Sequence, residues 1–127
     1  MERFDMNGEA WVVVAVEPES TELMDRTGAL TLATTDPSDM AVYISSALHG
    51  TMLYRVLVHE LAHCAIYSYG LLDDIHRMCL PAYWVEAEEW ICNFIADYGW
   101  RIFDSAYKVL GSGALRVVPR EIERLVA

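Results

Sequence analysis

Val56-Leu57-Val58-His59-Glu60-Leu61-Ala62-His63-Cys64-Ala65-Ile66 is the stretch around which the rest of the chain is organised. His59 and His63 are four residues apart in a run of helix-compatible, mostly apolar residues. On a helix that spacing puts both imidazoles on one face, with Cβ atoms about 5–6 Å apart. Two rings so placed can both reach one ion at about 2.0–2.1 Å, a zinc–nitrogen distance. Glu60 points about 100° around the helix from His59. It therefore flanks the ion, where a general base for a metal-activated water belongs. A mostly apolar helix does not carry two histidines and a glutamate without some compensation, and a bound metal would supply it.

Working outward, Gly50 precedes this segment and Gly70 follows it, so the helix is expected over about Thr51 to Tyr69 with Gly70 as its stop. Upstream, three extended segments are expected. Ala10 to Val16 is rich in valine and ends at Glu17-Pro18-Glu19-Ser20. Ala29 to Thr34 alternates Leu30 and Leu32 with small or polar neighbours, Asp36-Pro37-Ser38-Asp39 makes a turn, and Met40 to Ser45 returns, so the last two pair as a hairpin. Downstream, Asp73-Asp74-Ile75-His76-Arg77 reads as a polar connection. Pro81 suits the first turn of a second helix reaching about Tyr98, or onward to Leu110. Gly111-Ser112-Gly113 is a joint, and Pro119 to Val126 reads as a short terminal helix, a tail appended over 110–127. Strands first and helices after give one α+β domain over 1–127, with a small three-stranded antiparallel or mixed sheet on two to three helices.

A catalytic zinc usually takes three protein ligands and water. His49 and His76 are candidates, but Glu86-Ala87-Glu88-Glu89 at the start of the second helix makes the stronger offer. Glu89 ranks first, because Asn93 lies one turn later and could hydrogen-bond a ligating histidine and fix its tautomer. Glu86 follows. Glu88 ranks third, pointing about 100° from Glu89 toward the side expected to be exposed. A helix N-terminus also favours carboxylates without any metal.

His59-Glu60-Leu61-Ala62-His63, followed by Glu89-Trp90-Ile91-Cys92-Asn93-Phe94-Ile95-Ala96, resembles the gluzincin metallopeptidases. Within them it is most similar to the ImmA/IrrE-type family, over roughly residues 28 to 98. The family pattern is a His-Glu-x-x-His helix, then Glu-x-x-(Ala or Cys)-Asn-x-Phe-Ala on the next helix. The hairpin strand Ala41-Val42-Tyr43-Ile44-Ser45 is similar to the strand leading into the family's metal helix. The resemblance implies a zincin-like fold and a zinc peptidase, with His59, His63 and Glu89 as ligands, Glu60 as catalytic base and Asn93 as support. Asp97-Tyr98-Gly99-Trp100 stands where the family closes its second helix on a Leu-Leu-Met-Pro-like sequence.

Composition narrows the remaining classes. The 127 residues are 54% apolar, enough for a core without disulfides. Three widely spaced cysteines, Cys64, Cys79 and Cys92, and no visible signal peptide fit an intracellular, cytoplasmic setting. The stretch 52–72 carries Arg55, His59, Glu60 and His63, too polar a set for a membrane span. A formal charge of −10 argues against nucleic acid. From Gly99 onward Arg101, Lys108, Arg116, Arg120 and Arg124 outnumber Asp104, Glu121 and Glu123, a basic segment that could dock a protein partner.

Cys64 is expected in the core. Tyr43, Tyr67, Tyr69 and His76 are candidates to stabilise an oxyanion. Tyr83, Trp84 and Trp90 are candidates to line a peptide groove. The expected substrate is a protein or peptide laid along an edge strand, Met40 to Ser45 being the candidate edge.

Overall fold

A computed structural model describes residues 2–112 and gives an α+β architecture with a four-stranded mixed sheet. The strands are β1 (Glu2–Met6), β2 (Glu9–Val16), β3 (Ala33–Asp36) and β4 (Ala41–Ser45), in the spatial order β1-β2-β4-β3. The helices are α1 (Gly50–Ser68), α2 (Leu72–Met78), α3 (Trp84–Phe94) and, beyond a π-helical turn at Ile95–Gly99, α4 (Trp100–Leu110). The chain forms two compact units that divide after Asp97. The candidate site lies wholly in the first. In the second, α4 buries none of its residues.

One strand more is present than the sequence reading expects. β1 pairs antiparallel with β2 through a two-residue turn, Asn7-Gly8, in which both residues have positive φ (51° and 78°). Asn-Gly is the strongest short-range hairpin signal because the mirror-image turn it forms matches the twist of the strands. Asn7 also ties the turn down, its Nδ2 donating to the Ser68 carbonyl at 2.8 Å. Beside it the buried Trp11 indole donates to Ser68 Oγ at 2.7 Å.

β3 and β4 form the expected antiparallel hairpin, but β3 begins later, at Ala33. Leu30 and Leu32 are 53% and 49% exposed rather than inward-facing. β4 also pairs in parallel with β2, so it is a central strand. The expectation of an edge at Met40 to Ser45 is therefore corrected: on this side of the sheet the outer strand is β3.

α1 runs as expected and stops at Gly70, whose φ of 67° a side chain would strain. One of its faces, with Leu53, Val56, Leu57 and Cys64, packs on Trp11, Ala33, Val42 and Ile44 of the sheet. Another, with Ala62 and Ile66, packs on Ile75 of α2 and Cys92 of α3. On the helical wheel the histidines fall in the seam between these faces. The polar connection expected at 73–77 is instead the helix α2. Asp73 and Asp74 in its first turn and His76 and Arg77 in its last match the helix dipole, while Ile75 is buried. Pro81 opens a 3₁₀ turn ahead of α3. The terminal helix read over Pro119 to Val126, like most of the tail 110–127, lies outside the described residues. Among the described residues no helix is long and apolar enough to cross a membrane.

Candidate metal centre

α1 and α3 bring His59, His63 and Glu89 into one cluster, whose ligand atoms all lie within 4.8 Å of one another. His63 Nε2 is 3.2 Å from His59 Nε2. Glu89 Oε2 is 3.1 Å from His59 Nε2, and Glu89 Oε1 is 3.3 Å from His63 Nε2. A tetrahedral ion with bonds of about 2.0–2.1 Å has ligand–ligand edges of about 3.3 Å; the two imidazole nitrogens stand at that separation, while the two Glu89 contacts are made by different oxygens of its carboxylate. The Nδ1 atoms of both His59 and His63 are buried without a hydrogen-bond partner among the described residues. The donor set, two imidazoles and a carboxylate, suits zinc.

Charge is concentrated here. Burial works against a charged His63, but its contacts with Cys92, Glu88 and Glu89 outweigh this and push its pKa up to about 12. His59, and then His63, hold the Glu89 carboxyl far below the usual carboxylate range, against the opposing effect of burial. The two carboxylates crowded around His63 favour its charged form.

Glu60 is buried one residue beyond His59, and its Oε2 accepts a 2.6 Å hydrogen bond from Thr35 Oγ1 of β3. The cluster and Glu60 share one wall of a cavity of about 740 Å³, which all four residues of β3 also line. Tyr43 and Tyr67 face the same cavity. Tyr43 donates to Asp39 at 2.8 Å and Tyr67 to Glu88 Oε2 at 3.1 Å. His49 and His76 do not join the cluster: His49 Nδ1 contacts the Ala47 carbonyl, and His76 stacks on Trp84 with ring centroids 3.9 Å apart. Tyr69, Tyr83, Trp84 and Trp90 are not among the cavity-lining residues. Cys64 is fully buried, as a core residue should be.

Two expectations about α3 are corrected. Asn93 does not contact a histidine; its Oδ1 accepts from Arg55 Nη2 at 3.4 Å, beside the Arg55–Asp97 ion pair at 2.8 Å. Glu88, expected on the exposed side, is the most buried carboxylate described, with its side chain 2% exposed against 41% for Glu89. Glu88 Oε2 lies 2.5 Å from His63 Nδ1, an approach oblique to the ring's N–H direction. Glu88 also accepts from Tyr67 and from both terminal nitrogens of Arg26, at 3.3 and 3.2 Å. Burial alone would raise its pKa, but His63 and Arg26 outweigh this and leave it lowered. Partners of this kind are what allow a carboxylate to be buried at all.

Arg26 has no counterpart in the sequence reading. A tight loop presents it, Asp25 Oδ1 accepting from the backbone N–H groups of Thr27 and Ala29, and its Nη2 also reaches Glu89 Oε1 at 3.2 Å. Compared with protein-family models, curated proteins and solved structures, the chain matches none.

Proposed function

We propose that this chain is a zinc-dependent peptide hydrolase of the gluzincin type, similar to the ImmA/IrrE-type family. The observation that carries the reading is the clustering of one ligand atom each from His59, His63 and Glu89 within 4.8 Å of one another, lining a cavity that Glu60 also lines. Three protein donors beside open space are the pattern of a catalytic zinc site, whereas a structural site is closed by a fourth protein ligand. Neither His49 nor His76 supplies that fourth ligand.

Bound zinc would supply Lewis acidity and a nucleophilic water at neutral pH. The remaining work falls to the chain. Thr35 holds Glu60 Oε2, which leaves Oε1 to take a proton from the attacking water and return it to the leaving amine. β3 is the outer strand along the cavity, and an extended peptide would lie beside it by strand addition. Tyr67 and Tyr43 also line the cavity, but each already donates its one hydroxyl proton to a carboxylate, Tyr67 to Glu88 and Tyr43 to Asp39.

The test pairs zinc content with cleavage of a peptide library for wild type and Glu60→Gln. The amide preserves shape and does not touch the ligands, so zinc content should be unchanged. Cleavage should fall by roughly 10²–10⁴-fold, the usual contribution of a general base. Equal cleavage by both proteins would remove Glu60 from the chemistry. No cleavage by either would favour a protein-binding module with a non-hydrolytic metal site.

A further inference from the structure

Resting on the reading of His59, His63 and Glu89 as a metal site, we propose that Glu88 is the positioning residue that fixes the ring of His63 for metal binding, and that Arg26 and Tyr67 hold Glu88 in place.

The two faces of His63 are gripped by consecutive residues of one helix. Glu89 lies on the Nε2 side at 3.3 Å and Glu88 on the Nδ1 side at 2.5 Å. A carboxylate oxygen 2.5 Å from Nδ1 favours a proton on that nitrogen over a bare lone pair. The ring then presents Nε2, the nitrogen 3.2 Å from His59 Nε2, as its ligand atom. Outer-shell carboxylates act on metal-binding histidines in this way, selecting the tautomer and the orientation of the ring.

Glu88 itself has little freedom to leave. The fork of Arg26 spans both of its oxygens, the Tyr67 hydroxyl donates to Oε2, and water scarcely reaches it. Tyr67 also lies nearly parallel to the His63 ring, at a centroid distance of 6.3 Å. His59 has no equivalent among the described contacts: its ion pair, with Glu89, is made through Nε2, whereas Glu88 lies against Nδ1 of His63. His63 is thus the anchored ligand of the pair. Asn93, the alternative anchor by position, is engaged with Arg55 instead.

Zinc affinity by chelator competition, and the long-range ¹H–¹⁵N spectrum of His63 in the zinc-loaded full chain, test this on wild type, Glu88→Gln and Arg26→Met. Wild type should show His63 protonated at Nδ1 and ligated through Nε2. Glu88→Gln keeps the shape but loses the charge, so zinc should bind roughly 10–100-fold more weakly and the Nδ1 signal should move. Arg26 is half exposed and can be replaced without opening the core, so Arg26→Met tests the anchor even should Glu88→Gln fail to fold. It should weaken zinc about threefold to tenfold, the loss of one or two hydrogen bonds. Zinc affinity within twofold of wild type and an unmoved ring signal, in either folded variant, would overturn the inference while leaving the metal site intact. A wild type that binds no zinc would overturn both.

Discussion

The site has a buried half and an open half, and they are built differently. In the buried half, His63, Glu88 and Tyr67 contact one another. In the open half, His59 and Glu89 meet each other, Glu89 is 41% exposed against 2% for Glu88, and Glu60 accepts one side-chain hydrogen bond, from Thr35. A buried carboxylate held by several donors, as Glu88 is by Arg26 and Tyr67, is rigid, whereas a carboxylate with one side-chain donor, as Glu60 has, keeps capacity to move a proton. The difference teaches that one half is scaffold and the other is where a metal and a substrate would engage.

Substitutions should break that division in order of size. His63 belongs to both halves, so His63→Ala should have the largest effect. Elemental analysis should find close to one zinc per wild-type chain and almost none in the variant, a loss beyond the roughly 10–100-fold of an outer-shell residue. Full retention of zinc would dissolve the division altogether.

Glu89→Ala comes next, and Glu86→Ala is its control, since Glu86 is exposed on the same helix. Zinc affinity should collapse in the first and stay within about twofold in the second. Equal losses would mean that the carboxylates of α3 act through helix charge rather than ligation.

Protons sharpen the comparison further. In the metal-free chain the contacts with Cys92, Glu88 and Glu89 outweigh burial and push the His63 pKa up, and a ligating imidazole must give a proton up. Zinc uptake therefore releases a proton, and raising the pH favours the bound state. Affinity should rise by about tenfold per pH unit between pH 6 and 8. Calorimetry in buffers of different ionisation enthalpy counts the proton directly, and a pH-independent affinity would contradict release of a proton from His63 on zinc uptake.

The smallest effect belongs to the open half. Thr35→Val removes the single side-chain donor to Glu60 and keeps the β-branched shape that suits β3. Hydrolysis should fall about fivefold to tenfold, the worth of about 1 kcal/mol, with zinc content unchanged. A loss of zinc in this variant would place Thr35 in the scaffold instead.

How much of this was legible in the sequence follows from the range of the interactions involved. His59, Glu60 and His63 share one helix, so spacing alone sets their geometry. α1 itself ends where Gly70 requires it. The choice among Glu86, Glu88 and Glu89 depends on which face of α3 meets α1, a tertiary matter. Even so, a signal was present: Glu88 lies four and eight residues before Cys92 and Ala96, small residues that mark the face of close approach and are both buried. Arg26 gave no such signal, because it reaches Glu88 across 62 residues from a loop. β1 was missed although Asn7-Gly8 announces its hairpin. Leu30 and Leu32 misled because alternation over so short a stretch does not fix which side is inside.

Zinc K-edge X-ray absorption on the zinc-loaded 127-residue chain tests the central claim most directly, because Cys92 interacts with His63 and a thiolate would otherwise compete for the ion. The account predicts a shell of nitrogen and oxygen donors at about 2.0–2.1 Å, with the outer scattering of two imidazoles and no sulfur. A sulfur shell at about 2.3 Å, or the scattering of a single imidazole, would contradict it.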